Sequence, residues 1–252
     1  MRSVRIIPCL LWRDRGLWKT CRFADPSYVG DPINTARLFN DKDVDELIML
    51  DISATVAERR PDLGSIAAVA DECYAPFCYG GGIRSVNDAH DILAVGVEKV
   101  AFNAVAVDRP EIVAESAARF GSQSVVASID ARPTPGGYEV VTHGGRRRTG
   151  RDVVEHARAM EERGAGEILL TAVEREGTRA GFDLELIRRV TEAVDVPVIA
   201  HGGAGSVEDL GRAVREGGAS AVAAGSLFVH IGAHRAVLVT YPEDAELEAE
   251  VG

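Results

Sequence analysis

The stretch YGGGIRSVNDAHDILAVG, residues 79–96, recurs in altered form as AHGGAGSVEDLGRAVREG, residues 200–217. The offset between the two copies is 121 residues (203 − 82 = 121). Identical residues lie at this offset after Asp31, Glu46, Gly82, Ser85, Asp88 and Gly96. Because one shift aligns several separate segments, we interpret the chain as a duplicated half.

Short apolar runs alternate with longer amphipathic stretches along the whole chain. Proline after Asp31, and serine before each repeated amphipathic stretch, are typical helix starts. Eight such units in 252 residues predict one (β/α)8 barrel domain over residues 1–252, built from two half-barrels. A doubly wound open sheet is the structural alternative. The predicted strands are 4–11, 46–51, 76–79, 99–103, 124–130, 167–173, 196–201 and 221–225.

Composition excludes several function classes. A net charge of −11 argues against nucleic-acid binding, which depends on a positive surface. The sequence contains no apolar run long enough to span a membrane and no signal-peptide pattern. The four cysteines lack metal-site spacing, so we expect reduced thiols, a cytoplasmic protein, and no metal or other cofactor.

Two glycine clusters follow predicted strands at equivalent places in the two halves, YGGGIRS (79–85) and AHGGAGS (200–206). In a barrel the carboxyl ends of the strands form the active face. Glycines there let the backbone approach an oxyanion closely. Ordinary tight turns are the alternative. The pairing of the clusters favours two phosphate sites, and hence a ligand with a phosphate at each end.

Polar residues end other strands on the same face, namely Asp51, Asn103, Asp130 and Thr171. Asp130 closes the otherwise apolar run SVVASID, which makes it a candidate general acid or base rather than a helix cap or an ion-pair partner. Asp51 is a second such candidate. His201 has a side chain that titrates near neutral pH, but a hydrogen-bonded spacer before the glycines is the better interpretation.

Charged residues stand at the starts of strands that are otherwise apolar. Buried charges need partners, so two acids and two bases predict a closed ring at the barrel floor. Surface residues flanking the strands are the alternative. The four residues are Arg5, Glu46, Lys99 and Glu167.

Several motifs resemble the cyclase subunit family of imidazole glycerol phosphate synthase: GGGIRS, FGSQSVVASIDA, RGAGEILLT, REGTRAGFD and the GGAGS–AAGS pair. The resemblance covers nearly the whole chain. It implies a duplicated (β/α)8 barrel that receives ammonia from a glutaminase subunit docked at its floor. Ammonia then reaches a bisphosphorylated substrate at the mouth, and the products are imidazole glycerol phosphate and an aminoimidazole carboxamide ribotide.

The resemblance also implies roles for individual residues. Asp130 matches one of two catalytic aspartates, and Lys19 matches a lysine in the mobile first loop. The floor charges Arg5, Glu46, Lys99 and Glu167 match the gate at the ammonia entrance. The positions that match substrate or phosphate contacts are Asp51, Gly82, Asn103, Thr171, Gly177, Gly203, Ala224, Gly225 and Ser226.

The chain departs from this family at three positions. The second catalytic aspartate falls at Leu11, which cannot transfer a proton, and losing such a partner typically lowers the rate by orders of magnitude. Glu176 replaces the usual aspartate in the sixth loop, and His201 replaces a small hydroxyl residue.

The N-terminal third resembles cyclase-like proteins associated with sugar amidation, through RIIPCLL, GLWKTCRF and YVGDPINTARLFNDKDVDEL. That resemblance implies a barrel that takes ammonia from a glutaminase and supplies a separate sugar amidotransferase, which makes an acetamidino sugar for a surface glycan. The expected partners are therefore these two proteins and a phosphorylated small molecule. The alternatives are a true cyclase of histidine biosynthesis and a non-catalytic scaffold that activates the glutaminase.

Overall fold

The structure, a computed structural model, describes residues 4–232 and 234–251. Within that part, eight parallel strands form a closed barrel. Each strand pairs with the next one along the chain, including β5 with β6, and β8 pairs with β1. The predicted (β/α)8 barrel is confirmed and the open-sheet alternative is wrong. The strands are β1 Arg5–Arg13, β2 Leu47–Asp51, β3 Phe77–Gly80, β4 Lys99–Phe102, β5 Val125–Thr134, β6 Glu167–Ala172, β7 Val198–His201 and β8 Ala221–Ala224.

Helices connect the barrel strands and cover their outer faces. Two short ones, α4 and α9, directly follow β4 and β8. The helices are α1 Pro32–Asn40, α2 Leu63–Ala70, α3 Val86–Ala94, α4 Ala104–Asp108, α5 Glu111–Phe120, α6 Val153–Glu162, α7 Leu184–Thr191, α8 Val207–Arg215, α9 Ser226–Val229 and α10 Asp244–Val251. A 3-10 turn spans Ser122–Ser124.

The internal repeat is visible in how the helices begin. Asp31 caps α1 and its counterpart Asp152 caps α6, each accepting backbone N–H groups of the first turn. Ser85 and Ser206 cap α3 and α8 in the same way. These short polar side chains satisfy amides that a helix start leaves without partners. Both halves of the barrel therefore position their helices by the same local chemistry.

Strand alternation divides the apolar residues into two layers. One set packs outward against the helices, and a smaller set fills the barrel interior. Along β1, Ile7 and Cys9 face inward while Ile6, Leu10 and Trp12 belong to the outer layer. The same period of two directs Arg5 and Leu11 inward, at the floor and at the mouth. The interior residues are Ile7, Cys9, Ile48, Cys78, Ala101, Val126, Leu169, Ile199, Ala221 and Ala223.

Two hairpins extend the sheet beyond the barrel. We call the first the cover hairpin; its strands Gly16–Cys21 and Ala24–Gly30 follow β1 and fold over the mouth. The second follows β5 and consists of Gly137–Thr142 and Arg147–Asp152. After α9, the two-residue strands His230–Ile231 and Ala236–Val237 pair with each other. All four cysteines have free thiols. No helix in the described ranges has the length and apolarity needed to cross a membrane.

Candidate active site at the barrel mouth

A cavity of about 700 Å³ opens at the carboxyl ends of the barrel strands. Its inner end has both apolar and polar residues, among them Leu11, Leu50, Asn103 and Asp130. Loop residues, including arginines, form its outer wall. Of the residues that sequence analysis assigned to catalysis or substrate binding, Asp51, Asn103, Asp130 and Thr171 line this cavity.

Asp130 is the carboxyl group best placed for proton transfer. Asn103 Nδ2 donates to Asp130 Oδ2 at 3.1 Å, and the same amide donates to the Ser128 carbonyl at 3.0 Å. Thr171 is the register partner of Asp130 on β6. Burial raises the pKa of Asp130 to about 7, although hydrogen bonds from Asn103 and Thr171 act in the opposite direction. A carboxyl group with this pKa can give and take a proton near neutral pH.

His201 lies beside this group but stays uncharged. The Thr171 hydroxyl is 3.1 Å from His201 Nδ1, and the two residues are register partners on β6 and β7. Burial, and to a lesser extent the nearby Lys19, lower the pKa of His201 to about 3. A neutral, hydrogen-bonded imidazole agrees with the spacer interpretation and leaves Asp130 as the titrating group of this trio.

Asp51 holds the loop after β2 rather than pointing freely into the mouth. Its Oδ1 accepts from Ser53 N at 2.9 Å, Ser53 Oγ at 2.7 Å and Ala54 N at 2.8 Å. Its other carboxylate oxygen is 3.9 Å from Arg59 Nη2. Three hydrogen bonds hold this carboxylate in the loop, so Asp51 is better suited to shaping the loop than to catalysis.

The glycines of the two clusters adopt backbone conformations that other residues avoid. Gly82 has φ +70° and Gly203 has φ +118°. A Cβ atom on Gly203 would lie 2.2 Å from the Gly181 carbonyl oxygen, and one on Gly82 would lie 2.8 Å from the Arg59 carbonyl oxygen. Gly82 N donates to Thr55 Oγ1 at 3.2 Å. Tight turns and close backbone packing therefore account for these glycines without a ligand, and their role as phosphate contacts stays a prediction.

The cover hairpin packs against the sixth and eighth loops. Arg22 N donates to the Glu176 carbonyl at 2.8 Å. A Cβ atom on Gly177 would lie 2.2 Å from the Thr20 carbonyl oxygen, and one on Gly225 would lie 3.0 Å from Lys19 Cε. Gly177 and Gly225 therefore contact the hairpin. Ala224 and Ser226 are buried next to them at the end of β8.

Lys19 lies inside the protein, paired with Glu176. The Lys19 ammonium and the Glu176 carboxylate form an ion pair in which the side chains are 5% and 1% exposed. Thr20 Oγ1 donates to the other Glu176 oxygen at 2.9 Å. The sequence alone did not indicate this pair. Lys19 and Glu176 lie far apart in the sequence, and they come together only when the cover hairpin folds over the mouth.

The floor charges form a closed ring of four ion pairs. Arg5 pairs with Glu46 and, at 2.6 Å, with Glu167. Lys99 Nζ lies 2.9 Å from Glu46 Oε2 and 3.0 Å from Glu167 Oε2. The Glu46 side chain is 1% exposed, whereas 29% of the Arg5 side chain reaches solvent. The ring that the sequence predicted is thus present, with acids and bases alternating; its action as a gate stays a prediction.

Sequence analysis did not identify Arg59, which lines the mouth cavity from the loop after β2. Its Nη2 donates to Ser53 Oγ at 2.7 Å. The sequence offered one signal for this residue: Arg59 is a positively charged residue in a loop on the active face. Across residues 4–232 and 234–251, no group of three or more histidine, cysteine and acidic side chains is arranged to hold a metal ion.

Comparison with known proteins agrees with this architecture. The family described as "Histidine biosynthesis protein" matches residues 5–234. A Pseudomonas aeruginosa protein named "Putative imidazole glycerol phosphate synthase subunit hisF2" is 50% identical over 245 residues, 97% of this chain and 98% of that protein. A Leptospira borgpetersenii protein named "Putative imidazole glycerol phosphate synthase subunit HisF" is 42% identical over 251 residues, 99% of each chain.

A third relative is the Hyphomonas neptunium protein named "Imidazole glycerol phosphate synthase subunit HisF". It is 48% identical over 232 residues, 92% of each chain. The family match over residues 5–234 covers almost the whole barrel, a range that contains both glycine clusters, the floor ring and Asp130. The chain therefore belongs to the histidine biosynthesis protein family, as a barrel of the kind found in the cyclase subunit of imidazole glycerol phosphate synthase.

Proposed function

We propose that this chain is the cyclase-like barrel subunit of a cytoplasmic glutamine-dependent amidotransferase system. It receives ammonia from a glutaminase at its floor and conducts it through the barrel for amidation of a nucleotide sugar in surface glycan biosynthesis. The observation that carries the proposal is a closed charged ring at the floor of a barrel whose mouth has a leucine where the second acid would stand.

The ring fits a docking face for a glutaminase. Covering four charged side chains at the strand starts costs desolvation free energy unless every one of them is paired with an opposite charge, as in this ring. Arg5 and Lys99 keep 29% and 15% of their side chains exposed, so a partner that covers the floor contacts the ring directly. Relatives of this chain bear the name of a synthase subunit, which also supports a partner.

The barrel interior fits the passage of an uncharged molecule. Between the ring and the mouth it is lined by aliphatic side chains and two thiols. Burial raises the pKa of Cys9 to about 12, and burial also raises the pKa of Cys78, so both thiols stay neutral. A neutral apolar lining favours ammonia over ammonium, because a charged ion loses its hydration there without compensation.

The mouth supports a change of chemistry. Leu11 lines the cavity next to Leu50, and neither side chain transfers protons. By resemblance, cyclisation needs two aspartates, of which only Asp130 remains. Ammonia that reaches the mouth would therefore leave for a separate amidotransferase.

A true cyclase is the second candidate, favoured by one observation. Asp130 keeps its hydrogen bond from Asn103, and its pKa of about 7 is suited to acid–base chemistry. The two candidates differ in whether the isolated barrel turns over the cyclase substrate.

The deciding experiment supplies the purified chain with the phosphoribulosyl-formimino aminoimidazole carboxamide ribonucleotide and excess ammonium, which makes a glutaminase unnecessary. We expect no turnover. In parallel, a co-purified glutaminase should hydrolyse glutamine faster when the barrel is present, and its ammonia should reach a sugar amidotransferase added to the mixture. Clear cyclase turnover would instead establish a histidine-pathway enzyme. Faster glutamine hydrolysis without amidated sugar would indicate a scaffold.

A further inference from the structure

The two halves of the mouth are not equivalent, although the sequence repeat predicts that they are. The cavity reaches the first half through Gly81 and Asn103, and Arg59 stands beside them. Of the second glycine cluster the lining includes only His201, and it includes none of the predicted contacts after β8; Gly82 of the first cluster lies outside the lining as well. The cover hairpin packs against the loops after β6 and β8 of the second half, and Thr20 and Phe23 of the same hairpin line the open cavity.

Lys19 of the cover hairpin occupies the second half. Its side chain runs past Gly225, where an added Cβ atom would meet Lys19 Cε at 3.0 Å and the Cys9 carbonyl oxygen at 2.9 Å. The glycine at 225 therefore makes room for the protein's own lysine. Only 5% of the Lys19 side chain is exposed, and Lys19 is not among the residues that line the open cavity.

The charge of Lys19 is already matched. Its ammonium pairs with Glu176, a carboxylate that is 1% exposed and that also accepts from Thr20. A phosphate brought to this half would meet the Glu176 carboxylate in a poorly solvated place, where repulsion between like charges is strong. Breaking a buried ion pair by withdrawing one partner is also unfavourable.

The open half has the opposite character. Arg13 and Arg59 of the first half-barrel, together with His143 and Arg146 of the hairpin after β5, contribute to the outer wall of the open cavity. Arg59 Nη2 donates to Ser53 Oγ at 2.7 Å, and this hydrogen bond holds the Arg59 guanidinium beside the cavity. Deeper in, Leu11 and Leu50 form an apolar surface. The wall suits an anionic group, and the deeper surface suits a neutral one.

We propose that the mouth binds a ligand with one phosphate-class anionic end and an uncharged remainder, because the Lys19–Glu176 pair fills the anion site of the second half-barrel. This inference rests on the proposed function, in which the mouth no longer acts on the bisphosphorylated substrate. It adds to that function the kind of ligand that binds at the mouth. The two sequence-related glycine clusters would then differ in use: the first faces a ligand, and the second accommodates the cover hairpin.

The test compares α,ω-alkanediol bisphosphates of increasing length with the matching monophosphates, by calorimetric titration of the purified chain. The length series ensures that some bisphosphate can reach both halves. For wild type we expect measurable monophosphate binding and bisphosphate affinities within about threefold of it at every length. A second phosphate that gains charge-assisted hydrogen bonds would instead tighten binding by about tenfold or more.

Two variants test the pair itself. Glu176→Gln keeps the shape of the side chain but frees the Lys19 charge, so we expect at least a tenfold preference for a bisphosphate. Lys19→Met combined with Glu176→Gln removes both charges and should return the ratio to about threefold or less, which makes it the matched control. Circular dichroism checks that each variant is folded.

Three results would overturn the inference: a tenfold bisphosphate preference by wild type, no gain in a folded Glu176→Gln protein, or monophosphate binding weaker than about 10 mM. The first and third need no variant, so the inference stays testable if a variant does not fold. Since no glutaminase is present, these results are independent of ammonia transfer. Failure of the proposed function would appear as cyclase turnover or as absent glutaminase coupling.

Discussion

Leu11 and Leu50 are register partners on the neighbouring strands β1 and β2, and both line the mouth cavity. Leu11 is buried, and by the resemblance its side chain takes the place of the family's second catalytic aspartate. The mouth of this barrel therefore has an apolar surface on one side and Asp130 on the other.

Leu11→Asp alone should not restore strong cyclase activity. The new carboxyl would lie against Leu50, and a catalytic group must be oriented as well as present. We expect ammonium-dependent turnover to rise by less than about tenfold, against the 10²- to 10⁴-fold that a working acid or base typically contributes. Leu11→Asn controls for the loss of apolar packing. A rise beyond about a hundredfold would show that the site was never repurposed.

Lys99→Ala should weaken coupling to the glutaminase more than it destabilises the barrel. The substitution opens the ring and leaves the buried Glu46 with Arg5 alone. Because Lys99 is partly exposed, we expect a loss of about 1–2 kcal/mol, or roughly 2–8 °C in Tm for a chain of this size. Glutaminase activation should fall about tenfold or more.

The matched control for this change is Lys42→Ala, which removes an exposed lysine outside the ring. It should leave both coupling and Tm within experimental error of wild type. A large loss of Tm by Lys99→Ala with coupling unchanged would mean that the ring is structural only.

The sequence predicted the barrel well because its strands are short, apolar and regularly spaced, and because helix capping is local. Asp31 and Ser85 act as caps as predicted. The pairing of Lys19 with Glu176 was not predictable, since it depends on how a hairpin folds across the mouth. The unequal halves escaped prediction for the same reason: the repeat encodes equivalent turns, but the Lys19 side chain of the hairpin packs against Gly225 in the second half.

Asp130→Asn should change how stability depends on pH. Burial raises the pKa of Asp130 to about 7, above its unfolded value of about 3.9. Between these values the folded state binds more protons than the unfolded state, so this residue makes the protein less stable as pH rises from about 4 to 7. Asparagine does not titrate and should remove this slope.

The measurement is urea unfolding of both proteins from pH 4.5 to 8. Relative to wild type, Asp130→Asn should become more stable by about 2–4 kcal/mol across that range, with most of the change complete by pH 7.5. Thr171→Val is a useful comparison, because it removes a hydrogen-bonding neighbour but leaves the carboxyl. Parallel pH profiles for wild type and Asp130→Asn would show that the carboxyl titrates normally.

Gly177→Ala should release the cover hairpin. An added Cβ atom would lie 2.2 Å from the Thr20 carbonyl oxygen, a backbone atom that cannot move without displacing the hairpin. Gly144→Ala is the matched control, since Gly144 also has a positive φ, +65°, but no atom within 4 Å of the added Cβ. Both substitutions place an alanine at positive φ, which costs about 1 kcal/mol. Any difference in behaviour between the two variants therefore reports the contact between Gly177 and the hairpin.

We expect trypsin to cleave Gly177→Ala after Arg22 or Lys19 about tenfold faster than wild type, because cleavage follows the population of the open form. Gly144→Ala should be cleaved there at nearly the wild-type rate. The released hairpin also frees the Lys19 ammonium from Glu176, so Gly177→Ala should gain affinity for a bisphosphate over the matching monophosphate. Faster cleavage without that gain would mean that the hairpin covers the second half of the mouth but that its lysine does not determine what binds there.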